Sequence, residues 1–181
     1  RLNPRVFSRP ELVMGTLRIV GGNVARRLAA PASRGRRFEV PRVLLARDGR
    51  DHVIDPGGSF WRALSFIDAA ETFDTIQDAG HAREVGYALG RFHTLLSDLP
   101  PGQLSDTLPG FHLTPGYLAH YDEVCARPAK ETRPANASCR LFIEQRRGSA
   151  NLLEAIHGRL GSGIIHGDPK VANFLFDEEG K

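Results

Sequence analysis

Between residues 164 and 177 a run of polar side chains sits between two apolar stretches. Ile164-Ile165 leads into His166-Gly167-Asp168-Pro169-Lys170-Val171-Ala172-Asn173, and Phe174-Leu175-Phe176 leads out to Asp177. The pattern reads as strand, loop, strand. Gly-Asp-Pro is also a common turn composition, so an exposed turn carrying a basic residue is the competing reading. The apolar flanks weigh against it, because an ordinary exposed turn has no need of two buried strands and a histidine before it.

Asp168, Lys170 and Asn173 gather a carboxylate, an ammonium and an amide in one short loop. Phosphoryl transfer demands little covalent work and much positioning: an acceptor for the attacking hydroxyl's proton, a cation near the moving group, and an oxygen ligand for Mg²⁺. Asp168 suits the first role, since a carboxylate within hydrogen-bond reach can take that proton even with an ordinary pKa. Lys170 would offset charge on the transferred group. Asn173 offers the hard oxygen that Mg²⁺ accepts, leaving water and phosphate to fill the rest of its shell. His166 has two readings, as an organiser of the loop through its side chain or as a space-filler behind Asp168.

With 181 residues, 41% hydrophobic and 25% charged, the chain can bury a sizeable core. No stretch of about twenty apolar residues is present to span a membrane. No signal peptide is evident at the start. Cys125 and Cys139 lack metal-ligand spacing and are too few for a disulfide framework, so reduced thiols in a cytoplasmic protein are expected. The net charge of +3 includes basic clusters at Arg26-Arg27 and from Arg34 to Arg37. Nucleic-acid binding is disfavoured, because no aromatics are interleaved for base stacking, and a solvated loop is the simpler reading.

Pro10 opens a helix with Ser8 as its N-cap, along a stripe of Leu12, Val13, Leu17, Ile19, Val20 and Val24 that weakens at Gly21-Gly22. Residues 26 to 39 read as a flexible loop. Val40 to Leu45 and Gly58 to Ile67 form an antiparallel pair, with His52-Val53-Ile54 as a short third strand. Ala79 to Leu99 is a helix with Val85, Ala88, Leu89, Phe92, Leu95 and Leu96 on one face, stopped by Pro100-Pro101-Gly102. His93, beside that stripe, reads as a packed core or boundary residue rather than a ligand. Further helices are expected at Gly116 to Arg127 and Ser138 to Leu160, the latter with Leu141, Phe142, Leu152, Leu153 and Ile156 inward. Pro128 to Ala137 reads as the linker between them.

His166-Gly167-Asp168, Lys170 and Asn173 resemble the catalytic loop of the aminoglycoside phosphotransferase and choline kinase-like superfamily, a branch of the protein-kinase-like fold. Residues 1 to 7, Trp61 to Ile67, Gly90-Arg91-Phe92-His93 and Leu108 to Pro115 resemble, within it, the N-acetylhexosamine 1-kinase group. The likeness spans nearly the whole chain, though only the loop is specific to phosphotransfer. It implies ATP and Mg²⁺ as cofactors and a sugar's anomeric hydroxyl as acceptor.

The order of sheet, hinge, helices and loop suits an α+β, two-lobed kinase-like body, with a partial N-terminal lobe at 1–67 and a partial helical C-terminal lobe at 68–181. By resemblance, Phe66, Ile67 and Asp68 form the hinge whose main chain pairs with adenine; a strand end followed by a loop is the plain alternative. His112, in Phe111-His112-Leu113-Thr114-Pro115, is a candidate sugar contact, against a helix start with Thr114 as N-cap and Pro115 as first helical residue. The resemblance also places a glycine-rich phosphate loop and a strand-borne cation before Arg1, and a second metal-binding aspartate after the loop. Asp177 follows Asn173 too closely for that role and closes the first strand of a hairpin. An internal fragment of a longer kinase, weak in nucleotide binding and turnover, is therefore expected. The alternatives are a kinase for another small alcohol, such as an aminoglycoside, choline or homoserine, and an inactive pseudokinase or binding module.

Overall fold

The computed structural model describes residues 1–30, 36–127 and 137–181. Arg34 and nearly all of the expected 128–137 linker lie outside the described residues. Two compact units are present, one of residues 1–107 with 162–181 and the other of residues 108–161. The expected lobe boundary at 67/68 falls within the first.

In the first unit, α1 spans Pro10–Leu28 with Pro10 in its first turn, where a missing N–H costs nothing. Its N-cap is Arg9, with no side-chain cap bond, not Ser8. Proline at the first helical position leaves only the preceding residue to cap, and Ser8 lies one too early. Gly21-Gly22 do not end the helix. Two glycines cost about 1 kcal/mol each in a helix interior, and burial of Val24 one turn later, 1% exposed, offsets that. Arg26 and Arg27 are consequently helical rather than part of a loop. Met14, outside the expected stripe, is also fully buried.

Strands β1 (Val43–Leu44) and β4 (Ala63–Leu64) pair antiparallel in the register Val43 to Leu64. Strands β2 (Val53–Ile54) and β3 (Phe60–Trp61) do the same with Val53 opposite Trp61. The antiparallel pairing and the short third strand are thus both present, though as two-residue ladders. Pro41, without an N–H, lies just before β1.

Helix α2 (Ala79–Leu96) starts at Asp78, whose side chain accepts the His81 N–H at 2.8 Å. It ends three residues before the expected Leu99, because Leu99 precedes Pro100 and is pushed out of helical geometry. Leu99 still packs with Val24, Leu95 and Leu96 in the core between α1 and α2. Asn23 ties the two helices together, donating from Nδ2 to the Leu95 carbonyl (2.9 Å) and the Asp98 carboxylate (3.1 Å).

The flanks of the 166–173 loop are not the expected strands. Ile164 packs against the core, Ile165 is exposed, and only Phe176 makes a β-bridge, with Glu71. Among the described residues no strand runs beside Ile164-Ile165, and a strand without a ladder partner is not stable. Asp177 opens a turn that Lys181 closes, with Gly180 at φ +74°.

In the second unit, α3 spans Thr114–Ala126 and its N-cap is Leu113. Thr114 is therefore the first helical residue and does not cap. The 108–113 turns deliver the chain one residue early, so that the Leu113 carbonyl already accepts from Gly116 and Tyr117. The single helix expected over 138–160 is broken into α4 (Ala137–Arg146), α5 (Leu152–Ile156) and 3₁₀ turns at Arg147–Ser149 and His157–Arg159. The Ser149 hydroxyl donates to the Arg146 carbonyl at 2.7 Å, and Gly148, Ser149 and Asn151 are poor helix formers. Leu141, Phe142, Leu152, Leu153 and Ile156, expected inward, are exposed, and no described residue of this unit is buried. Helices with small antiparallel sheets place the chain in the α+β class. None of its described helices is long and apolar enough to cross a membrane.

Candidate active site

The 166–173 loop is fastened at both ends and in the middle. Ile164 anchors its entry in the core, and Phe176 and Glu71 exchange two main-chain hydrogen bonds (2.9 and 3.0 Å) at its exit. Phe176, 2% exposed, lies edge-on to Phe73 and His81. Gly167 turns the chain at φ +82°, a conformation that strains any residue with a Cβ. A 3₁₀ turn at Val171–Asn173 then brings Asn173 back towards Asp168.

This turn gathers the three side chains singled out by the sequence. Asn173 Nδ2 donates to the Asp168 carbonyl at 2.7 Å and to its carboxylate at 3.0 Å. Both partners are acceptors, so the amide must turn its NH₂ towards them and its Oδ1 away. Lys170 Nζ lies 3.7 Å from Asp168 Oδ2, with both side chains more than half exposed. An exposed pair of this kind is worth about 0–1 kcal/mol, so both charges remain available to a ligand. His166 takes the organiser reading: its Nδ1 accepts the Asp168 N–H at 3.3 Å.

A cavity of about 200 Å³ adjoins the loop, lined among others by Ile67, Phe92, His166, Asn173 and Leu175. Ligand pockets commonly run to about 300–1,000 Å³, so the enclosed part has room for a ring system rather than a whole nucleotide. Asp168 and Lys170 do not line it.

Of the expected hinge, Phe66 is exposed and Ile67 half-buried. The Asp68 carbonyl accepts from Arg37 Nη2 at 2.8 Å and the Ala69 carbonyl from Nη1 at 3.4 Å, with Ala69 at φ +50°. Phe66 and Ile67 keep unpaired main-chain groups, whereas the carbonyl of Asp68 is taken by Arg37. Arg26 and Arg27 lie on α1 rather than in a solvated loop, while Arg36 and Arg37 lie in irregular chain with Arg37 exposed. Arg26 and Arg27 pair with Asp98, and Arg36 pairs with Glu84 and lies 4.4 Å over the Tyr87 ring. Each of these three guanidinium groups thus has a carboxylate partner within the chain. His112 belongs to the second unit, at φ +64°, and its N–H donates to the Tyr117 hydroxyl at 3.0 Å. Cys125 and Cys139 are free and exposed.

The sequence reading passed over one contact: His93 Nε2 accepts the main-chain N–H of His166 at 3.4 Å. The only signal was its place beside Phe92 on the inner face of α2.

No group of three or more His, Cys, Asp or Glu among the described residues could hold a metal alone. The donor set does fit Mg²⁺, which takes one or two protein oxygens and fills its shell with water and phosphate. Asn173 Oδ1, freed by the two bonds its amide makes, is such an oxygen. When bound, Mg²⁺ would neutralise charge on the phosphates.

A loop of this composition, held in this way, suits phosphoryl transfer. A family model, the phosphotransferase enzyme family (APH), matches residues 22–181. The chain belongs to that family. Its members are kinases, which normally use ATP and Mg²⁺ and act on a small molecule.

Proposed function

We propose that the chain transfers the terminal phosphoryl group of ATP to a sugar hydroxyl, in the manner of an N-acetylhexosamine 1-kinase. One observation carries the reading: Asp168, Lys170 and Asn173 meet within hydrogen-bonding or ion-pairing distance in one exposed loop. Asp168 orients the acceptor hydroxyl and takes its proton, Lys170 faces the transferred group, and Asn173 supplies an oxygen to Mg²⁺. The unpaired main chain of Phe66 and Ile67 suits adenine better than Asp68, whose carbonyl Arg37 occupies. On this reading residues 1–67 and 68–181 are parts of two lobes.

Labelled ATP, Mg²⁺ and a panel of N-acetylhexosamine, aminoglycoside, choline and homoserine test the proposal. Asp168-dependent transfer to the hexosamine supports it. Transfer to a different acceptor keeps the chemistry and replaces the substrate, whereas ATP binding without transfer to any acceptor makes the chain a binding module.

A further inference from the structure

We propose that His93 is a positioning residue for the 166–173 loop, acting as a hydrogen-bond acceptor rather than as packing. Its ring nitrogen Nε2 receives the His166 N–H (3.4 Å), and His166 Nδ1 in turn receives the Asp168 N–H (3.3 Å). Two imidazoles therefore hold two main-chain N–H groups two residues apart, the second belonging to the residue that carries the carboxylate. A ring nitrogen that accepts bears no proton, so His93 is the Nδ1–H tautomer and His166 the Nε2–H tautomer.

The neighbouring Phe92 completes the grip. Its ring meets the His166 imidazole edge-on at 5.4 Å, so adjacent residues of α2 hold the ring and the main chain of one loop residue. The end of α2 is a firm base, because Leu95 and Leu96 in the next turn are core residues. Each bond is long and individually weak. In series they fix the Asp168 main chain to the best-packed part of the unit. Positioning on a rigid element is what a loop-borne group needs, since about 1 Å of misplacement can cost on the order of 100-fold in rate.

The catalytic consequence rests on the kinase reading above; the geometric one does not. Three measurements on the full chain test it. Nitrogen-15 NMR of the wild-type histidines should find His93 protonated at Nδ1 and bare at Nε2. Amide exchange at His166 and Asp168 should quicken in His93→Phe, which keeps a ring without the acceptor, and return towards wild type in His93→Gln, whose Oε1 can accept. In the transfer assay, His93→Phe should lower kcat by roughly 10- to 100-fold with KM for ATP nearly unchanged, and His93→Gln should recover most of it. A proton on Nε2 of His93, unchanged exchange in His93→Phe, or a His93→Gln variant as impaired as His93→Phe would each overturn the proposal. If the wild type transfers no phosphate to any acceptor, the functional reading fails, while tautomer and exchange still decide the role of His93.

Discussion

Asn173 grips Asp168 twice through a single nitrogen, at the main-chain carbonyl and at the carboxylate. One amide thereby orients the carboxylate and frees its own oxygen for a cation, two jobs that no other side chain of this length combines. Asn173→Asp offers Mg²⁺ a stronger ligand but sets a second negative charge against Asp168. We expect it to lower kcat at least tenfold, on the scale of about 1.5–3 kcal/mol for a bond to a charged group, and to do no better than Asn173→Ala. Titrating activity against Mg²⁺ for both variants checks this; an Asn173→Asp enzyme at wild-type rate refutes it.

Asp168→Asn keeps the shape and removes the base. Proton transfer by a placed side chain contributes about 10²–10⁴-fold, and a loss in that range is expected with ATP affinity retained. Lys170→Met should cost less than Asp168→Asn, since it removes a solvent-screened charge and leaves the proton acceptor in place. Single-turnover rates alongside nucleotide titration separate the two.

Acid should loosen the α1–α2 clamp. Hydrogen bonds from Arg26 and then Asn23 hold the Asp98 carboxyl well below the usual carboxylate range. A depressed folded-state pKa contributes stability that is complete above the unfolded value of about 3.9 and is lost as pH falls through the folded one. The melting temperature of the wild type should exceed that of Asp98→Asn at pH 7, and the gap should shrink below about pH 4. A gap that widens in acid would contradict the assignment.

Leu96→Ala, at a position 2% exposed, should cost about 2–5 kcal/mol of unfolding free energy. Leu153→Ala, at 69% exposed, should stay within about 0.5 kcal/mol. Denaturant melts of the two variants give the comparison directly.

The loop's composition and the α2 stripe were legible because each is a local pattern: three polar side chains at fixed spacing, and apolar residues at helical period. The turn at Asp55-Pro56-Gly57-Gly58 was legible too, and it joins β2 to β3 inside the β1–β4 pair. What escaped depended on partners far along the chain. Nothing near Ile164-Ile165 says that no strand will run beside it. The acceptor role of His93 depends on a residue 73 positions away. Arg37, read as part of a solvated basic run, finds two carbonyls beyond the sheet. The break at Gly148 was visible in composition, but the apolar periodicity of its neighbours outweighed it.

The Glu71–Phe176 bridge also dictates an order of events. Roughly a hundred residues separate its two halves, and closing so long a loop is an entropic cost met only by contacts formed late. During synthesis, helices α1 and α2 and both small sheets can assemble while Glu71 waits without its mate. The chemistry-bearing turn is thus laid down after the foundation that holds it.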